Sequence, residues 1–324
     1  MPKFQENIQL SKFSHYKIGG PARFFFEART EKEVAWAIGE AKKRKLPVFI
    51  LSGGTNILFS DKGFDGLVLR PAIMTLKAKK DNTLEVGAGV FMSQLLDFAA
   101  AKSLSGLEWA GGLPGTVGGA IRGNAGAFGG ETKDSVVSVR SFDVKTMKFT
   151  ERSAKECAFK YRDSVFKKKH GAEIVLSATL TLAKGDKKAI ARSIKEKIEY
   201  RKKAHPLDYP NIGSIFKNVP LHVIHKKGSP KYKKAVGAQE LAFRGSRFSV
   251  KNDPFPVIFA AKLISESGLR GVSAGGAMIS PKHTNFIVNV LNASSCDAKS
   301  LIKLAKAEVF KKFGVQLEEE VQLV

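Results

Sequence analysis

One stretch of unusually high glycine content most constrains how this chain folds. It runs from position 114 to 130 and reads PGTVGGAIRGNAGAFGG. Because glycine lacks a Cβ atom, its backbone approaches a neighbouring group closely and aims N–H groups at it. A second glycine-rich segment, SGGTN at 52–56, follows the strand-like sequence PVFIL. Neither segment contains lysine, so the pair predicts a cradle of backbone donors for a pyrophosphate; two tight turns without a ligand are the alternative.

Neither segment has the spacing of a common nucleotide motif. The Walker pattern needs Gly-Lys-Ser/Thr after a fixed spacing, and the dinucleotide fingerprint needs Gly-x-Gly-x-x-Gly between a strand and a helix. The sequence therefore disfavours a conventional P-loop or Rossmann site.

Length and composition narrow the class of protein. The chain has 324 residues, of which 43% are hydrophobic, enough for two or three domains with cores of their own. It lacks an apolar run of the ~20 residues that cross a bilayer, and its first residues do not resemble a signal peptide, so we expect a cytoplasmic protein. Cys157 and Cys296 are too few for a disulfide framework or a zinc site, so we expect buried or half-buried thiols and no metal.

The net charge of +24 allows two interpretations. A basic surface follows nucleic-acid phosphates, or it is a solvated lysine-rich surface that also attracts small anions. In the segment 187–203, isoleucines at 190, 194 and 198 form one helical stripe and leave the lysines on the outer face. We favour the solvated surface, because aromatic residues seldom interrupt the lysine runs and no nucleic-acid motif accompanies them.

Local signals predict alternating helices and strands in the first hundred residues. Thr30 and Glu33 have the spacing of a capping box, followed by apolar residues at helical spacing up to Ala41. Strands are predicted around 66–70 and 83–89, and a helix at 92–103. This alternation favours an α/β or α+β arrangement.

Six motifs in a fixed order resemble one enzyme family. They are YKIGGPARFF (16–25), LSGGTNILFSDKGFDGLVLR (51–70), LEWAGGLPGTVGGAIRGNAGAFGGE (107–131), YRDSVFK (161–167), NIGSIFKN (211–218) and GVQLEEEV (314–321). Together they closely resemble the UDP-N-acetylenolpyruvoylglucosamine reductases of peptidoglycan synthesis, from about residue 11 to the C-terminus.

The resemblance implies an α+β fold similar to that of the vanillyl-alcohol-oxidase flavoproteins. In this fold two α+β subdomains bind FAD and a C-terminal α+β domain binds the substrate. We expect the subdomains at 1–72 and 73–203 and the substrate domain at 204–324, with the last strand returning to the active site. The chain resembles the shorter subtype of the family, and relative to that subtype residues 220–257 form an insertion. We expect a monomer with neither a membrane nor a nucleic-acid partner.

The resemblance also implies a reaction and three catalytic residues. NADPH reduces bound FAD, and the hydride then passes to the methylene carbon of a UDP-sugar enolpyruvyl ether. Arg162 matches the arginine that binds the carboxylate and the enolate, and Ser214 matches the proton donor. Glu320, the last glutamate of the EEEV run, matches the acid near the enolate.

The remaining site residues follow from the same matches. The expected FAD-binding residues are Gly53, Gly54, Thr55, Asn56, Pro114, Gly115, Thr116, Gly118, Gly119, Asn124, Ala125 and Gly126. The expected substrate-binding residues are Tyr161, Lys217, Asn218, His283 and Asn285. Two alternatives stay open: an FAD-linked oxidase of a small alcohol or sugar, and a nucleic-acid-binding module.

Overall fold

A computed structural model describes residues 2–168, 172–225, 240–252 and 255–324. The α-helices are α1 Glu31–Lys43, α2 Met92–Ala101, α3 Val117–Gly123, α4 Val165–Lys168, α5 Lys187–Ala204, α6 Leu221–His225, α7 Ala260–Glu266 and α8 Ser295–Phe313. The strands are β1 Gln5–Gln9, β2 Pro21–Ala28, β3 Val48–Ile50, β4 Ile57–Leu58, β5 Phe64–Pro71, β6 Leu76–Ala78, β7 Thr83–Gly87, β8 Leu104–Ser105, β9 Gly126–Ala127, β10 Gly130–Glu131, β11 Val136–Asp143, β12 Lys148–Ser153, β13 Glu173–Thr181, β14 Ala183–Lys184, β15 Val219–Pro220, β16 Glu240–Phe243, β17 Ser246–Asn252, β18 Pro256–Ile258, β19 Ser273–Ala274, β20 Ala277–Ile279, β21 Ile287–Asn289 and β22 Gln322–Leu323.

These elements divide into two compact units that exchange segments of the chain. The first unit comprises Met1–Leu10, Pro21–Gly54 and Gly63–Lys203. The second comprises Ser11–Gly20, Thr55–Lys62 and Ala204–Val324. The division at residues 72 and 203 into three domains stays a prediction.

Among the described residues, the first unit contains two larger sheets and two small two-stranded ones, β10-β9 and β14-β8. The two larger sheets differ in strand direction. One has the strand order β1-β2-β5-β3, in which β2 and β3 both run parallel to β5. The other is antiparallel, with the order β12-β11-β13-β7-β6. Parallel neighbours need crossover connections, and α1 supplies the one between β2 and β3.

The helix α1 begins where the sequence predicts. The Thr30 hydroxyl accepts a 3.2 Å hydrogen bond from the Glu33 amide, and the Glu33 carboxylate accepts one from the Thr30 amide at 3.1 Å. This reciprocal capping box satisfies two backbone donors that a helix N-terminus leaves without partners. The apolar positions Val34, Ala37, Ile38 and Ala41 are all fully buried in the first unit's core. The capping-box prediction is thus confirmed.

The second unit is built around the long helix α8. Its apolar face contributes Leu301, Ala305 and Val309 to a large core cluster. Two further sheets have the orders β15-β18-β17-β16 and β19-β20-β21, and the terminal strand β22 pairs in parallel with β4. The sheet from β15 to β18 occupies the predicted insertion at 220–257, of which residues 226–239 and 253–254 lie outside the described residues.

The surface predictions have mixed outcomes. In α5, Ile190 is buried while lysines at 187, 188, 195, 202 and 203 are exposed, so the solvated outer face is confirmed.

The two cysteines differ in exposure. Cys157 is buried and its pKa is raised by that burial to about 11. Cys296 is exposed, so the expectation of burial was wrong there. It lies in the first turn of α8, whose core-facing side is taken by Ala298 and Leu301. None of the helices in the described ranges is long and apolar enough to span a membrane.

Candidate active site

The two glycine-rich segments lie directly against each other in the first unit. The Ser52 and Thr116 hydroxyl oxygens are 2.5 Å apart and share a hydrogen bond. A Cβ atom on Gly53 would lie 2.8 Å from the Cα of Gly115, and one on Gly119 would lie 2.7 Å from the Ser52 hydroxyl. Real Cβ contacts are longer than this, so only glycine allows these backbones to approach so closely. The structure therefore brings together the two parts of the predicted cradle.

A cavity of about 380 Å³ opens beside this contact. Ser52, Thr116 and Phe91 line it, together with Arg29 and Arg70 at the carboxyl ends of β2 and β5. Ligands of α/β sheets bind outside the carboxyl ends of the parallel strands. The single carboxylate of Glu27 lies 3.4 Å from the Arg29 guanidinium and 3.2 Å from that of Arg70, so the wall keeps a net positive charge. The cavity thus suits an anionic ligand.

Asn124 ends α3 and connects the glycine segment to the predicted catalytic arginine. Its backbone is left-handed, with φ of 43°, and its side chain is fully buried. The side-chain amide donates to the carbonyl of Lys160 at 3.0 Å and accepts from the amide of Lys133 at 3.0 Å. Asn124 therefore fixes the chain just before Tyr161 and Arg162.

Arg162 is half-buried and makes two contacts inside the first unit. Its Nη2 atom donates a 2.6 Å hydrogen bond to the carbonyl of Gly126, and its guanidinium lies 5.0 Å from the ring centre of Tyr161. Its backbone is left-handed, with φ of 53°, a conformation that costs a non-glycine residue about 1–3 kcal/mol. Such strain clusters at functional sites, which agrees with the predicted role of Arg162.

The other two predicted catalytic residues lie on adjacent backbones in the second unit. The amide of Glu320 donates a 2.8 Å hydrogen bond to the carbonyl of Ile215, the residue after Ser214. Phe216 forms an antiparallel bridge with Glu319. The structure thus brings Ser214 and Glu320 together although more than a hundred residues separate them in the chain.

The structure also distinguishes the three consecutive glutamates. Glu318 forms an ion pair with Lys217, and Glu319 lies 2.9 Å from the ammonium of Lys306. The carbonyl of Glu320 accepts a 3.1 Å hydrogen bond from the side-chain amide of Asn56. Lysine side chains thus pair with the carboxylates of Glu318 and Glu319, and the side chain of Asn56 holds the backbone of Glu320.

Two residues predicted to contact substrate make internal contacts that shape this part of the site, and their predicted substrate contacts stay predictions. The side-chain amide of Asn285 accepts from the amide of Phe216 at 3.0 Å and donates to its carbonyl at 2.8 Å. Both ends of the buried Asn285 side chain are thereby used to position the segment that carries Ser214. Asn218 likewise accepts a 3.3 Å hydrogen bond from the amide of Ala260 at the start of α7.

His283 packs in an aromatic cluster of the second unit. Its ring centre lies 4.7 Å from that of Phe286 and 5.5 Å from that of His205. Its Nδ1 atom is buried without a hydrogen-bond partner among the described residues. Burial lowers the pKa of His283, so the ring stays neutral at pH values where an exposed histidine is partly charged.

Comparison with known proteins places the chain in one family. The model described as the C-terminal domain of UDP-N-acetylenolpyruvoylglucosamine reductase matches residues 205–324, and one described as an FAD binding domain matches residues 22–146. The UDP-N-acetylenolpyruvoylglucosamine reductase of Lachnoclostridium phytofermentans is 34% identical over 98% of this chain and 92% of its own length. That of Carboxydothermus hydrogenoformans is 36% identical over 98% of this chain and 93% of its own length. This chain belongs to the UDP-N-acetylenolpyruvoylglucosamine reductase family.

A solved structure agrees with this family assignment. The UDP-N-acetylenolpyruvylglucosamine reductase (MurB) of Thermus caldophilus superposes with a TM-score of 0.75, at 29% identity, and the match covers 99% of both chains. The predicted α+β, vanillyl-alcohol-oxidase-like fold is confirmed, and the chain is an FAD-containing oxidoreductase.

The residues of the first unit fit FAD. The close contacts at Gly53 and Gly119 bring two backbone segments together beside a positively charged cavity lined by Ser52 and Thr116, an arrangement that suits a diphosphate. The predicted binding residues Gly54, Pro114, Gly118, Ala125 and Gly126 belong to this unit, whereas Thr55 and Asn56 belong to the second. The assignment of individual residues to FAD stays a prediction.

Sequence reasoning missed two contributors to these sites. Ser52 joins the two glycine segments through its hydroxyl, and its position at the edge of SGGTN was the signal available. Asn56 is predicted to bind FAD, and its side chain also holds the backbone carbonyl of Glu320, a contact between residues 264 positions apart that no local pattern indicates.

Proposed function

We propose that this enzyme reduces UDP-N-acetylglucosamine enolpyruvate to UDP-N-acetylmuramate, with NADPH as the reductant. The observation that carries the proposal is the hydrogen bond from the Glu320 amide to the Ile215 carbonyl, which sets Glu320 beside Ser214. Reduction of an enolpyruvyl ether needs a proton donor and a group that stabilises the enolate, and this pair provides both kinds of group. FAD, when bound, supplies hydride transfer between NADPH and the substrate.

Each of the three predicted catalytic side chains has a task in this reaction. The planar guanidinium of Arg162 binds the substrate carboxylate with two parallel hydrogen bonds and stabilises the enolate as charge develops. The Oγ atom of Ser214 donates its proton to the carbon next to the carboxylate. Glu320 polarises the enolate or replaces the serine proton.

The supporting residues act by positioning these groups. Asn285 holds the backbone of Phe216, and Asn56 holds the carbonyl of Glu320. Lys217 is half-buried and forms an ion pair with Glu318. We propose Tyr161, Lys217, Asn218 and His283 as residues that meet the substrate.

The product is a peptidoglycan precursor, so the proposed setting is the cytoplasm. We propose that the enzyme acts there as a monomer on soluble nucleotides. The positive net charge then favours encounter with NADPH and the UDP-sugar, both of which are polyanions.

A spectroscopic experiment tests the proposed reaction. The purified protein should show flavin absorbance, lose it when NADPH is added without oxygen, and regain it when the enolpyruvyl substrate follows. Flavin that NADPH reduces but the enolpyruvyl substrate does not reoxidise would contradict the reductase. Rapid reoxidation by oxygen with an alcohol or sugar as the electron donor would instead support the oxidase alternative.

A further inference from the structure

A groove of about 670 Å³ lies along α8 in the second unit. Four apolar side chains line it, from Ile302, Ala307 and Phe310 of α8 and from Leu323 of the terminal strand β22. Phe310 is 52% exposed and Leu323 is 40% exposed. Single exposed apolar residues are common on protein surfaces, whereas a cluster of them in one depression is typical of a binding site. We call this depression the α8 groove.

Lysine side chains line the α8 groove together with these apolar residues. Lys299, Lys303 and Lys306 recur at helical spacing, so they lie on the same face of α8 as Phe310. The ammonium of Lys306 lies 2.9 Å from a carboxylate oxygen of Glu319. Lys299 and Lys303 take part in none of the ion pairs that the described residues form. The groove therefore combines an apolar lining with an excess of positive charge.

This combination suits an amphipathic anion of small size. An aliphatic chain buries apolar surface against the lining, and a terminal oxyanion pairs with the lysine ammonium groups. Small-ligand sites have volumes of about 300–1,000 Å³, a range that includes the α8 groove. A stable protein interface buries about 800 Å² on each partner and would extend well beyond it.

Charge disfavours the occupants that this chain itself provides. A second copy carries the same net charge of +24, so the two lysine-rich surfaces repel each other. The segment 226–239, which lies outside the described residues, contains five lysines and no acidic residue. Neither complements the lysines of the α8 groove, whereas an anion from outside the chain does.

We propose that the α8 groove binds an amphipathic anion, an aliphatic chain that ends in a carboxylate or a similar oxyanion. The proposal goes beyond the proposed reaction, because none of the predicted catalytic or FAD-binding residues lines the groove. Glu319, which does line it, directly precedes Glu320. A ligand in the α8 groove therefore also contacts the segment that carries the candidate acid.

Calorimetric titration of the FAD-loaded protein tests the binding. The probes are decanoate and octanoate, below the concentrations at which they form micelles, and decyltrimethylammonium, a cation with a chain of similar length. We expect one site for decanoate and about tenfold weaker binding of octanoate, which buries two fewer methylene groups. Decyltrimethylammonium should bind at least about tenfold more weakly than decanoate, because the lysines repel it. Absence of decanoate binding, or equal affinity for the anion and the cation, would overturn the proposal.

Substitutions at two exposed positions of α8 locate the binding site. Ala307→Glu places a carboxylate in the apolar lining, and Lys303→Glu reverses the charge of one lysine. We expect Ala307→Glu to weaken decanoate binding at least about tenfold, and Lys303→Glu about twofold to fivefold, the range of an exposed ion pair. The matched control is Lys311→Glu, at an exposed lysine of the same helix outside the groove, and it should bind decanoate normally. Unchanged affinity in both groove variants, or an equal loss in the control, would contradict the assignment.

Hydrogen exchange and gel filtration separate the remaining outcomes. Decanoate should slow amide exchange in the segments 299–310 and 316–323 more than in the rest of the chain. Protection confined to other segments would place the ligand elsewhere and overturn the proposal. Wild-type protein that elutes as a dimer, and that Ala307→Glu converts to a monomer, would assign the α8 groove to a second copy and overturn it as well.

Discussion

The side-chain amide of Asn56 donates a 3.1 Å hydrogen bond to the carbonyl of Glu320, and the Asn56 carbonyl accepts a 3.0 Å hydrogen bond from the amide of Gln322. Asn56 therefore bonds to the backbone on either side of Val321, where β22 begins. On its other side, the amide of Glu320 donates a hydrogen bond to the carbonyl of Ile215, the residue that follows Ser214. The carbonyl and the amide of the candidate acid are thus each held by a hydrogen bond, one from Asn56 and the other to Ile215.

Replacing Asn56 should disturb Glu320 without removing a catalytic group. We expect Asn56→Ala to destabilise the enzyme by about 0.5–1.5 kcal/mol, the usual net value of one hydrogen bond. Reoxidation of the reduced flavin by substrate should slow by about twofold to tenfold, as a transition-state loss of that size implies. Stopped-flow absorbance and thermal unfolding measure the two effects. Gln316→Ala, at an exposed position close to the same strand, is the control and should change neither.

Ser214→Ala should separate the two half-reactions. Flavin reduction by NADPH needs no proton from this hydroxyl and should stay nearly unchanged. Reoxidation by the enolpyruvyl substrate should slow by about 10²–10⁴-fold, the typical contribution of a positioned acid. Single-turnover absorbance measures each half separately. Equal slowing of both halves would mean that Ser214 is not the proton donor.

Gly53→Ala should reduce the retention of flavin. The new Cβ would lie 2.8 Å from the Gly115 Cα, a backbone atom that cannot rotate away, so the two glycine segments must separate. The absorbance ratio of flavin to protein after gel filtration should fall, and the melting temperature should fall with it. Gly123→Ala is a matched control in the same glycine-rich stretch, because its Cβ would meet no atom within 4 Å and its φ is not positive. Full flavin retention in Gly53→Ala would argue against the predicted cradle.

The buried ring of His283 should make stability depend on pH. Burial lowers the folded-state pKa of His283 below its usual 6.5, so the unfolded chain binds this proton first as the pH falls. Its contribution to stability is therefore present above about pH 7 and is lost progressively as the pH falls below 6.5. His283→Gln should flatten the fall in unfolding free energy between about pH 7.5 and 5.5, measured by urea titration. His222→Gln, at an exposed histidine, should leave the slope unchanged.

Several elements were predictable because their signals are local. The capping box of Thr30 and Glu33 and the isoleucine stripe of α5 both act within a few residues, and the structure confirms them. Close approach of the two glycine-rich segments also follows from their composition, because chains that lack Cβ atoms pack closely. The family resemblance, carried by six ordered motifs, added the fold.

Other features were beyond local patterns. The segments Ser11–Gly20 and Thr55–Lys62 belong to the second unit, although residues of the first unit flank both. Composition does not reveal this exchange, because the hydrogen bonds that create it, such as that between Asn289 and the carbonyl of Tyr16, join residues 273 positions apart. The internal contacts of Asn285 were hidden for the same reason.

The sequence by itself determined the helix and strand signals, the paired glycine segments and the family to which the enzyme belongs. Only the tertiary structure decided that Lys217 and Lys306 pair with Glu318 and Glu319, and that the side chain of Asn56 holds the carbonyl of Glu320. The physical reason is the separation along the chain over which each feature acts. Caps, turns and periodicity depend on neighbours in the chain, whereas burial and pairing of charges depend on residues that meet only after folding.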